Sequence, residues 1–376
     1  MRKKITVFTL LLLGLFFISV SASYLFFIYK KAYVAPVSPP PNATPTPTPD
    51  PMAPKNILLL GYGGAGHEGG TLTDTMIVAH LIPKEKKVFL ISIPRDIWVP
   101  IPMKNGTQNF KINHAFSIGV DEKRFPEKLP QYTGIAGAGL LSREMVGLVT
   151  GLKIDNFVSV NFEGFKNIVN ILGGINIYVP YSFKDEYYPI KGKEDDTCGL
   201  TEEQLTAIHA TLSGQLLEQE FKCRFETIEF TKGLTLMDGE TSLKFVRSRH
   251  SDINGGDFGR SLRQQAFIVA VKNKLLSFGS FTKLIPVINS ISKNTQTDID
   301  IKSALNFVSS NFEIGDFEIK TVTLTTDNVL TDTISSDKQY ILIPKAGEGN
   351  WDEIHKFISD AVTQKPTVTQ TPKVTN

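Results

Sequence analysis

The chain has 376 residues, which is enough for one large domain or two modest ones. Its hydrophobic content of 41% and its charged content of 21% are ordinary for a globular protein. A formal net charge of +2 excludes a general electrostatic attraction to nucleic acid or to a membrane surface. Any basic site must therefore come from local clustering of charge.

The N-terminal segment predicts a membrane anchor. Ile5 to Tyr29 carries no charge, and as a helix it would span roughly 37 Å, against about 30 Å for the hydrocarbon core of a bilayer. A cleaved signal peptide is the alternative, because Ser19 to Ser23 offers small residues for a cut site. The length of the apolar run favours an uncleaved single transmembrane helix, with residues 1–34 as cytoplasmic stub and anchor.

A spacer rich in proline and threonine is predicted at residues 35–54, because proline removes backbone donors and fixes φ. We expect it to lift an extracytoplasmic body off the cell membrane. Residues 363–376 share this composition and are expected to be disordered. The body between them divides into a domain at 55–279 and an extension at 280–362, which is expected to contain two or three helices and a few short strands, although no linker marks the second boundary.

The body alternates strand and helix patterns. Asn56 to Gly61 is a short apolar strand, and two further apolar runs, starting at Met76 and Val88, are joined by a predicted hairpin at Pro83 to Lys87. Helical spacing follows in 137–152 and 163–172, strand alternation in 175–179, a helix capped by Asp238, and a helix with one apolar face in 262–276. This order predicts an α/β fold in which helices flank a mixed central sheet.

Two cysteines, Cys198 and Cys223, are the whole thiol inventory, and they form no zinc-ligand or CxxC pattern. One unbroken helix between them would hold their Cα atoms more than about 30 Å apart, beyond the limit of about 7 Å for a disulfide. A helical hairpin turning at Ser213-Gly214 would bring them together. In an exported chain we expect a structural disulfide, and the alternative is two free thiols in a chain that is not exported.

Charge gathers in four segments whose surroundings are apolar or rich in glycine. GYGGAGHEGGTLTDT starts at Gly61 and contains Asp74, and its glycines would let backbone N–H groups approach an anion. Arg95 and Asp96 follow a buried strand, where α/β sheets generally bind ligands. A turn-forming aspartate and a strand-closing ion pair are the structural alternatives. The third segment, KINHA, contributes Lys111, and its histidine is expected to be structural.

The fourth segment is the most basic. Arg247 and Arg249 would project to one side of an extended chain and present two guanidinium forks. Arginines this close repel one another unless an anion lies between them. Two or three internal carboxylates would satisfy them, but the positive groups outnumber the carboxylates, which favours an external phosphate-bearing anion. A helix start further along carries the rest of the set, namely Asp257, Arg260, Arg263 and Gln264.

The order of these motifs resembles the LytR-CpsA-Psr family. The resemblance is carried by NILLLG, LTDTMIV, ISIPRD, KINHA, FEGFKNIVNILGGINIYVP, LTLMDGETSLKFVRSR and DFGRSLRQQ, between about Lys55 and Leu276. It implies an α/β domain with a long apolar groove for a polyprenyl chain. It also implies a phosphotransferase that uses Mg²⁺ to move a glycopolymer from a polyprenyl-pyrophosphate carrier to peptidoglycan. No helix-turn-helix pattern or basic stripe indicates a nucleic acid partner.

The resemblance also implies roles for individual residues. Asp74 matches the metal-binding aspartate. In the mechanism that the charges themselves suggest, Asp257 or Asp96 would accept the proton of the acceptor hydroxyl, and the sequence does not decide between them. The cationic and amide groups of the pyrophosphate pocket would be Arg95, Lys111, Arg247, Arg249, Arg260, Arg263 and Gln264.

Two departures from the family pattern affect this site. Leu72 stands where the family commonly has an arginine, so one phosphate contact would be lost. Gly61-Tyr62-Gly63 replaces a segment that often carries an aspartate, and Glu68 is the candidate substitute for that second metal ligand. Two further functions are compatible with the same residues: a non-catalytic polyprenyl-phosphate-binding or regulatory protein, and a polyprenyl-pyrophosphate hydrolase.

Overall fold

The computed structural model describes residues 50, 52–67, 69–212, 215–277, 295–299 and 317–363. The strands are β1 (Lys55–Tyr62), β2 (Thr73–Ile82), β3 (Lys87–Ser92), β4 (Trp98–Met103), β5 (Gly106–Lys111), β6 (Asn156–Asn161), β7 (Ile175–Val179), β8 (Phe183–Pro189), β9 (Phe225–Phe230), β10 (Gly233–Met237), β11 (Thr295–Thr297), β12 (Glu318–Thr323), β13 (Leu330–Ile334) and β14 (Tyr340–Pro344). The helices are α1 (His114–Val120), α2 (Gly134–Thr150), α3 (Phe162–Ile171), α4 (Glu202–Thr211), α5 (Gln215–Glu220), α6 (Gly239–Arg247), α7 (Gly256–Ser277) and α8 (Asp352–Thr363).

A six-stranded mixed sheet in the order β11-β6-β1-β2-β3-β12 forms the centre of the fold. β1 pairs antiparallel with β2 and parallel with β6. β2 and β3 form the predicted hairpin, because Pro83 starts a short 3-10 turn and Lys86 closes it in the left-handed conformation (φ 51°). The α/β fold with a mixed central sheet flanked by helices is confirmed.

Helices cover both faces of the central sheet. Successive β1 side chains point to opposite faces, so Leu58 packs in a core with α1, α2 and α8, whereas Leu59 faces the other side. On that second side lie α3, α6 and α7, whose apolar residues form a separate core with the small β7–β10 sheet. The space between the central sheet and this second layer becomes the groove described below.

The sequence predicted the start of α6 correctly, but it did not predict the conformation of Arg247. Asp238 caps α6 as predicted, with its carboxylate accepting a hydrogen bond from the Thr241 backbone N–H at 2.8 Å. The helix then continues through Arg247, so the prediction of an extended Arg247-Ser248-Arg249 segment was wrong at its first residue. Because Arg247 ends a helix and Arg249 follows it, the two guanidinium groups reach different surroundings.

Residues after 280 take part in the same central sheet. β11 pairs antiparallel with β6, and β12 pairs parallel with β3, so the extension expected at 280–362 supplies both edge strands. The β13–β14 hairpin packs beside the start of β4, where the Leu342 backbone N–H donates to the Asp96 carbonyl oxygen at 2.9 Å. The edge positions of β11 and β12 explain why no linker marks a boundary near residue 280.

A disulfide joins Cys198 and Cys223, with 5.6 Å between their Cα atoms, as predicted for an exported chain. α4 and α5 lie within the loop that it closes, and the predicted turn at Ser213-Gly214 lies outside the described residues. The predicted anchor at Ile5 to Tyr29 also lies outside them. Among the helices that the structure does describe, none combines the length and the apolar character needed to cross a bilayer.

Candidate active site

A cavity of about 510 Å³ opens between the central sheet and the second helical layer. We call it the groove. Its floor comes from β1, β2 and β6, through side chains such as Leu59, Ile77 and Val158. Its wall comes from α3, α6 and α7, with Phe165 and Phe267 in contact at 4.5 Å between ring centroids. Most of the lining is therefore apolar, which suits a hydrocarbon ligand.

Charged residues occupy one end of this groove. On α7 the lining residues run in order from Arg260 through Phe267 to Val271, a distance of about 16 Å along a helix. On α3, Phe162 contacts Arg247 and Phe165 contacts Phe267, so the lining residues of α3 follow the same direction. The charged end also receives Asp74, Arg95, Arg247, Arg249 and Gln264. A ligand with an anionic head and a long apolar tail matches this polarity.

Arg95 lies at the centre of a network of ion pairs. Its guanidinium donates a hydrogen bond to Asp74, and its Nε lies 3.6 Å from Asp96 and 3.9 Å from Asp257. Burial alone would lower the pKa of Arg95, but Asp74, Asp257 and Asp96 outweigh that effect and raise it. Arg95 is therefore a fixed positive charge.

Asp257 joins the α7 end of the network. One of its oxygens, Oδ1, lies 2.9 Å from Arg249 Nε and 3.0 Å from Arg260 Nη2. Burial works to raise the pKa of Asp257, yet Arg260, Arg249 and Arg95 together lower it. This carboxylate stays ionised and holds three arginines at one point, which is the convergence that the separated motifs predicted.

Asp96 and Lys111 form the side of the network away from the groove. Lys111 Nζ lies 2.7 Å from Asp96 Oδ1, and both side chains are largely buried. We call the set Asp74, Arg95, Asp96, Lys111, Arg249, Asp257 and Arg260 the charged cluster. Its four cationic groups face three carboxylates, which leaves an excess of one positive charge. Burial lowers the pKa of Arg260 to about 10, an effect that Asp257 opposes and the nearby Arg95 reinforces.

Arg247 lines the groove but lies apart from the charged cluster. Its guanidinium lies over the Phe162 ring at 4.3 Å and donates a hydrogen bond to the Tyr188 hydroxyl at 3.0 Å. Stacked on aromatic faces, its guanidinium can still present N–H groups to an anion in the groove. Its position supports contact with the head of a ligand rather than with the network around Arg95.

Arg263 and Gln264 were both predicted to bind substrate, but the structure gives them different surroundings. Gln264 lines the charged end of the groove, with its amide near the Val246 carbonyl oxygen at 3.5 Å. Arg263 points the other way and donates to the Ser248 carbonyl oxygen and, at 3.2 Å, to that of Asn254. Successive helical residues face different sides, so Arg263 supports the loop before α7 instead of lining the groove.

Asp185 is a site residue that the sequence motifs did not reveal. It is 1% exposed, and its Oδ2 accepts hydrogen bonds from Ser248 Oγ at 2.7 Å and from the backbone N–H groups of Arg249 and His250, both at 3.1 Å. This carboxylate on β8 fixes the backbone that carries Arg249. The sequence around it, FKDEYY, gives no signal of that function, because the contact spans more than sixty residues.

Among the described residues, Asp74 is the candidate ligand for a magnesium ion. Asp74, whose side chain is 37% exposed, lies where the groove and the charged cluster meet. Within the described residues, the group of three or more potential ligands that lies close together is Asp196, Cys198 and Cys223, and its cysteines form the disulfide. Mg²⁺ is commonly held by one or two carboxylates plus substrate phosphates, so Asp74 with a diphosphate would suffice.

A backbone hydrogen bond closes the glycine-rich loop that precedes β2. The Gly64 N–H donates to the Gly70 carbonyl oxygen at 2.8 Å, and a Cβ on Gly70 would lie 2.2 Å from the Gly64 oxygen. Glycine at position 70 is therefore required by the turn. His67 contacts Phe162 at 5.0 Å between ring centroids, and Glu68, the candidate second metal ligand, lies outside the described residues.

Comparison with known proteins gives one family. The LytR_cpsA_psr family matches residues 35–346, and so extends past Leu276, where the resemblance in the sequence ended. The chain is 29% identical, over 246 residues, to the polyisoprenyl-teichoic acid–peptidoglycan teichoic acid transferase TagU of Oceanobacillus iheyensis, covering 65% of this chain and 59% of that protein. It is 28% identical to TagU of Enterococcus faecalis over 263 residues, covering 68% of this chain and 67% of that protein.

A solved structure shows the same fold. The crystal structure of B. subtilis TagV superposes with a TM-score of 0.55 at 24% identity, covering 84% of this chain and 99% of that chain. The chain spans about three fifths to two thirds of the length of the two curated relatives.

Proposed function

The chain belongs to the LytR-CpsA-Psr family, and on that basis we propose that it is a phosphotransferase of the cell envelope. Its donor would be a glycopolymer carried on polyprenyl pyrophosphate, and its acceptor a hydroxyl group of peptidoglycan. The observation that carries this proposal is the junction of an apolar groove with a cluster of arginines at one end. The curated relatives, named as teichoic acid transferases, support the same class of substrate.

The groove and the charged cluster match the two parts of such a donor. A prenyl chain would lie along the apolar side chains of α3 and α7, as far as Val271. The diphosphate would replace the internal carboxylates as a partner for Arg249 and Arg260, and would also meet Arg247 in the groove. Guanidinium groups bind phosphate oxygens in bidentate fashion, so one ligand satisfies several of these cations.

The transfer step exchanges one phosphoryl ester bond for another. The acceptor oxygen forms a bond to the phosphorus that carries the sugar, and the bond from that phosphorus to the bridging oxygen breaks. Polyprenyl phosphate leaves, and the new product is a phosphodiester. Phosphoryl transfer needs mainly positioning and charge stabilisation, and the arginines gathered around Asp257 would supply both.

We infer that Asp96, rather than Asp257, accepts the proton of the acceptor hydroxyl. Three arginines lower the pKa of Asp257 although its burial works to raise it, and the lowered pKa makes Asp257 a weak base. Asp96 lies on the side of the cluster away from the groove, where it is paired with Lys111. Neither residue lines the groove, so a lipid bound there would not cover this side of the cluster.

Asp74 would hold the magnesium ion, which when bound neutralises diphosphate oxygens. Leu72 offers no cation, so Arg95 and Asp74 would be the contribution of β2 and the end of β3 to the binding of the diphosphate. The protein would be held at the cell membrane by its predicted N-terminal anchor, with the body on the extracytoplasmic side.

The test is a reconstitution of the full chain with a polyprenyl-diphosphate glycan, uncrosslinked peptidoglycan and Mg²⁺. We expect repeated turnover that yields a phosphodiester-linked product and polyprenyl phosphate. Stoichiometric binding without turnover would instead support the lipid-binding or regulatory protein. Release of free sugar phosphate, with water in place of the acceptor, would support the hydrolase.

Arg249→Ala should lower the rate of transfer at least about 100-fold, because one fixed charge at the diphosphate is lost. The matched control is Lys244→Ala, which removes a cation of α6 that pairs with Glu226 at 2.7 Å, away from the charged cluster. Equal activity of the two variants would refute the function assigned to the cluster.

A further inference from the structure

The β13–β14 hairpin lies beside the charged cluster on the side away from the groove. Its Leu342 donates to the carbonyl oxygen of Asp96, and Leu342 and Ile97 form a parallel bridge. Tyr340 precedes Leu342 by two residues on β14 and therefore lies on the same face of that strand. The groove, in contrast, is lined from β1, β2, β6 and the second helical layer.

One face of this hairpin changes from core to exposed surface along its length. Leu330 and Leu342 are buried at its base, where they belong to the main core. Further out on the same face, Ile334 and Tyr340 are directly opposite one another and are 62% and 49% exposed. Asp332 lies between these two ends, opposite Leu342. The hairpin therefore presents an aromatic ring, an aliphatic side chain and a carboxylate next to a catalytic site.

The electrostatic environment of Tyr340 agrees with a position of the hairpin beside the charged cluster. Burial raises the pKa of the Tyr340 phenol, and the negative charges of Asp332, Asp96 and Asp257 raise it further. Two of these three carboxylates belong to the charged cluster. The Tyr340 hydroxyl is thus within electrostatic range of the reacting groups, on the side where Asp96 and Lys111 lie.

The geometry of phosphoryl transfer decides which substrate meets this hairpin. The attacking and leaving oxygens lie roughly in line across the phosphorus. If the leaving polyprenyl phosphate extends into the groove, the attacking hydroxyl approaches from the opposite side of the charged cluster. The β13–β14 hairpin and Asp96 lie on that side.

We propose that the exposed face of the β13–β14 hairpin, centred on Tyr340 and Ile334, binds the saccharide of the acceptor glycan strand. The apolar face of a sugar ring packs on the tyrosine ring, and sugar hydroxyls donate to the carboxylate of Asp332. This inference rests on the proposed transferase function and deepens it, because it names a site for the second substrate. It also gives residues beyond 280 a function in the reaction.

The experiment compares Tyr340→Ala and Tyr340→Phe in the full chain, with transfer measured as a function of donor and of acceptor concentration. We expect Tyr340→Ala to raise the KM for the peptidoglycan strand roughly tenfold while the KM for the donor stays within about twofold. Tyr340→Phe keeps the ring face and should behave as the unmodified protein.

The matched control is Tyr178→Ala. Tyr178 is 58% exposed on a two-stranded sheet and lies opposite Leu234, so it repeats the chemistry of Tyr340 and Ile334 on another layer of the fold. It should leave both KM values unchanged. An unchanged acceptor KM in Tyr340→Ala overturns the proposal, as does a rise in the donor KM alone, which would assign the hairpin to the donor sugar. Absence of transfer by the unmodified chain would refute the proposed function itself.

Discussion

The carboxylate of Asp185 accepts a hydrogen bond from the backbone N–H of Arg249 at 3.1 Å, across 64 positions of sequence. The same oxygen accepts from Ser248 and His250, so one buried charge sets the path of the chain as it leaves α6. Arg263 supports that path from the other side through the Ser248 carbonyl oxygen. The position of the Arg249 side chain at Asp257 depends on both contacts.

Asp185→Ala should lower the free energy of unfolding by about 3 kcal/mol, because it leaves four donors without their acceptor, the fourth being the backbone N–H of Tyr187. Urea denaturation measures this change. The control is Asp252→Ala, which removes the acceptor of one hydrogen bond, from the Lys184 N–H, at an exposed position. If both variants unfold at the same urea concentration, the buried carboxylate does not fix this loop.

Asp257→Asn should change the pH dependence of stability. The pKa of Asp257 is lowered in the folded protein, because Arg260, Arg249 and Arg95 outweigh the effect of burial. Its charge therefore stabilises the fold fully above the unfolded pKa of about 3.9, and the contribution is lost as the pH falls through the lower folded value.

The difference in unfolding free energy between the unmodified protein and Asp257→Asn should therefore be constant near neutral pH and shrink below about pH 4. Urea titrations at a series of pH values check this. Asp327→Asn, at an exposed turn, serves as the control for general acid effects. A difference that grows on acidification would contradict the assignment.

Val271→Phe should fill the apolar end of the groove. Val271 lines it on α7, and the larger ring would occupy space that a long prenyl chain needs. We expect the KM for a long-chain polyprenyl donor to rise about tenfold, while a short-chain donor reacts normally. Leu262→Phe, on an exposed face of the same helix, is the matched control. An equal effect on both donors would show that the lipid lies elsewhere.

Replacing both Cys198 and Cys223 by serine should lower the free energy of unfolding by about 3 kcal/mol, the loop-closure contribution for a separation of 25 residues. Thermal denaturation with and without a reductant measures it. The double variant should not respond to the reductant, whereas the unmodified protein should lose stability to the same level. A variant as stable as the unmodified protein would show that the α4–α5 segment needs no covalent closure.

Local patterns in the sequence determined the elements of this fold. Apolar runs and the Pro83 turn defined β1, β2 and β3, and the carboxylate of Asp238 defined the start of α6. These patterns depend on neighbours within a few residues, which is why they can be recognised without a structure. The motif order also identified the family, because it places the same residue types before and after the same elements.

Only the tertiary structure decided which charged residues act together. Arg249, Arg260 and Arg95 meet at Asp257, as their motifs suggested, but Arg247 stacks on Phe162 and Arg263 holds a backbone loop. Asp185 gave no local signal, and the sequence predicted short strands after residue 280 without indicating where they would lie. Their positions follow from contacts between parts of the chain that are far apart in sequence, and the free energy of those contacts depends on packing that no short pattern records.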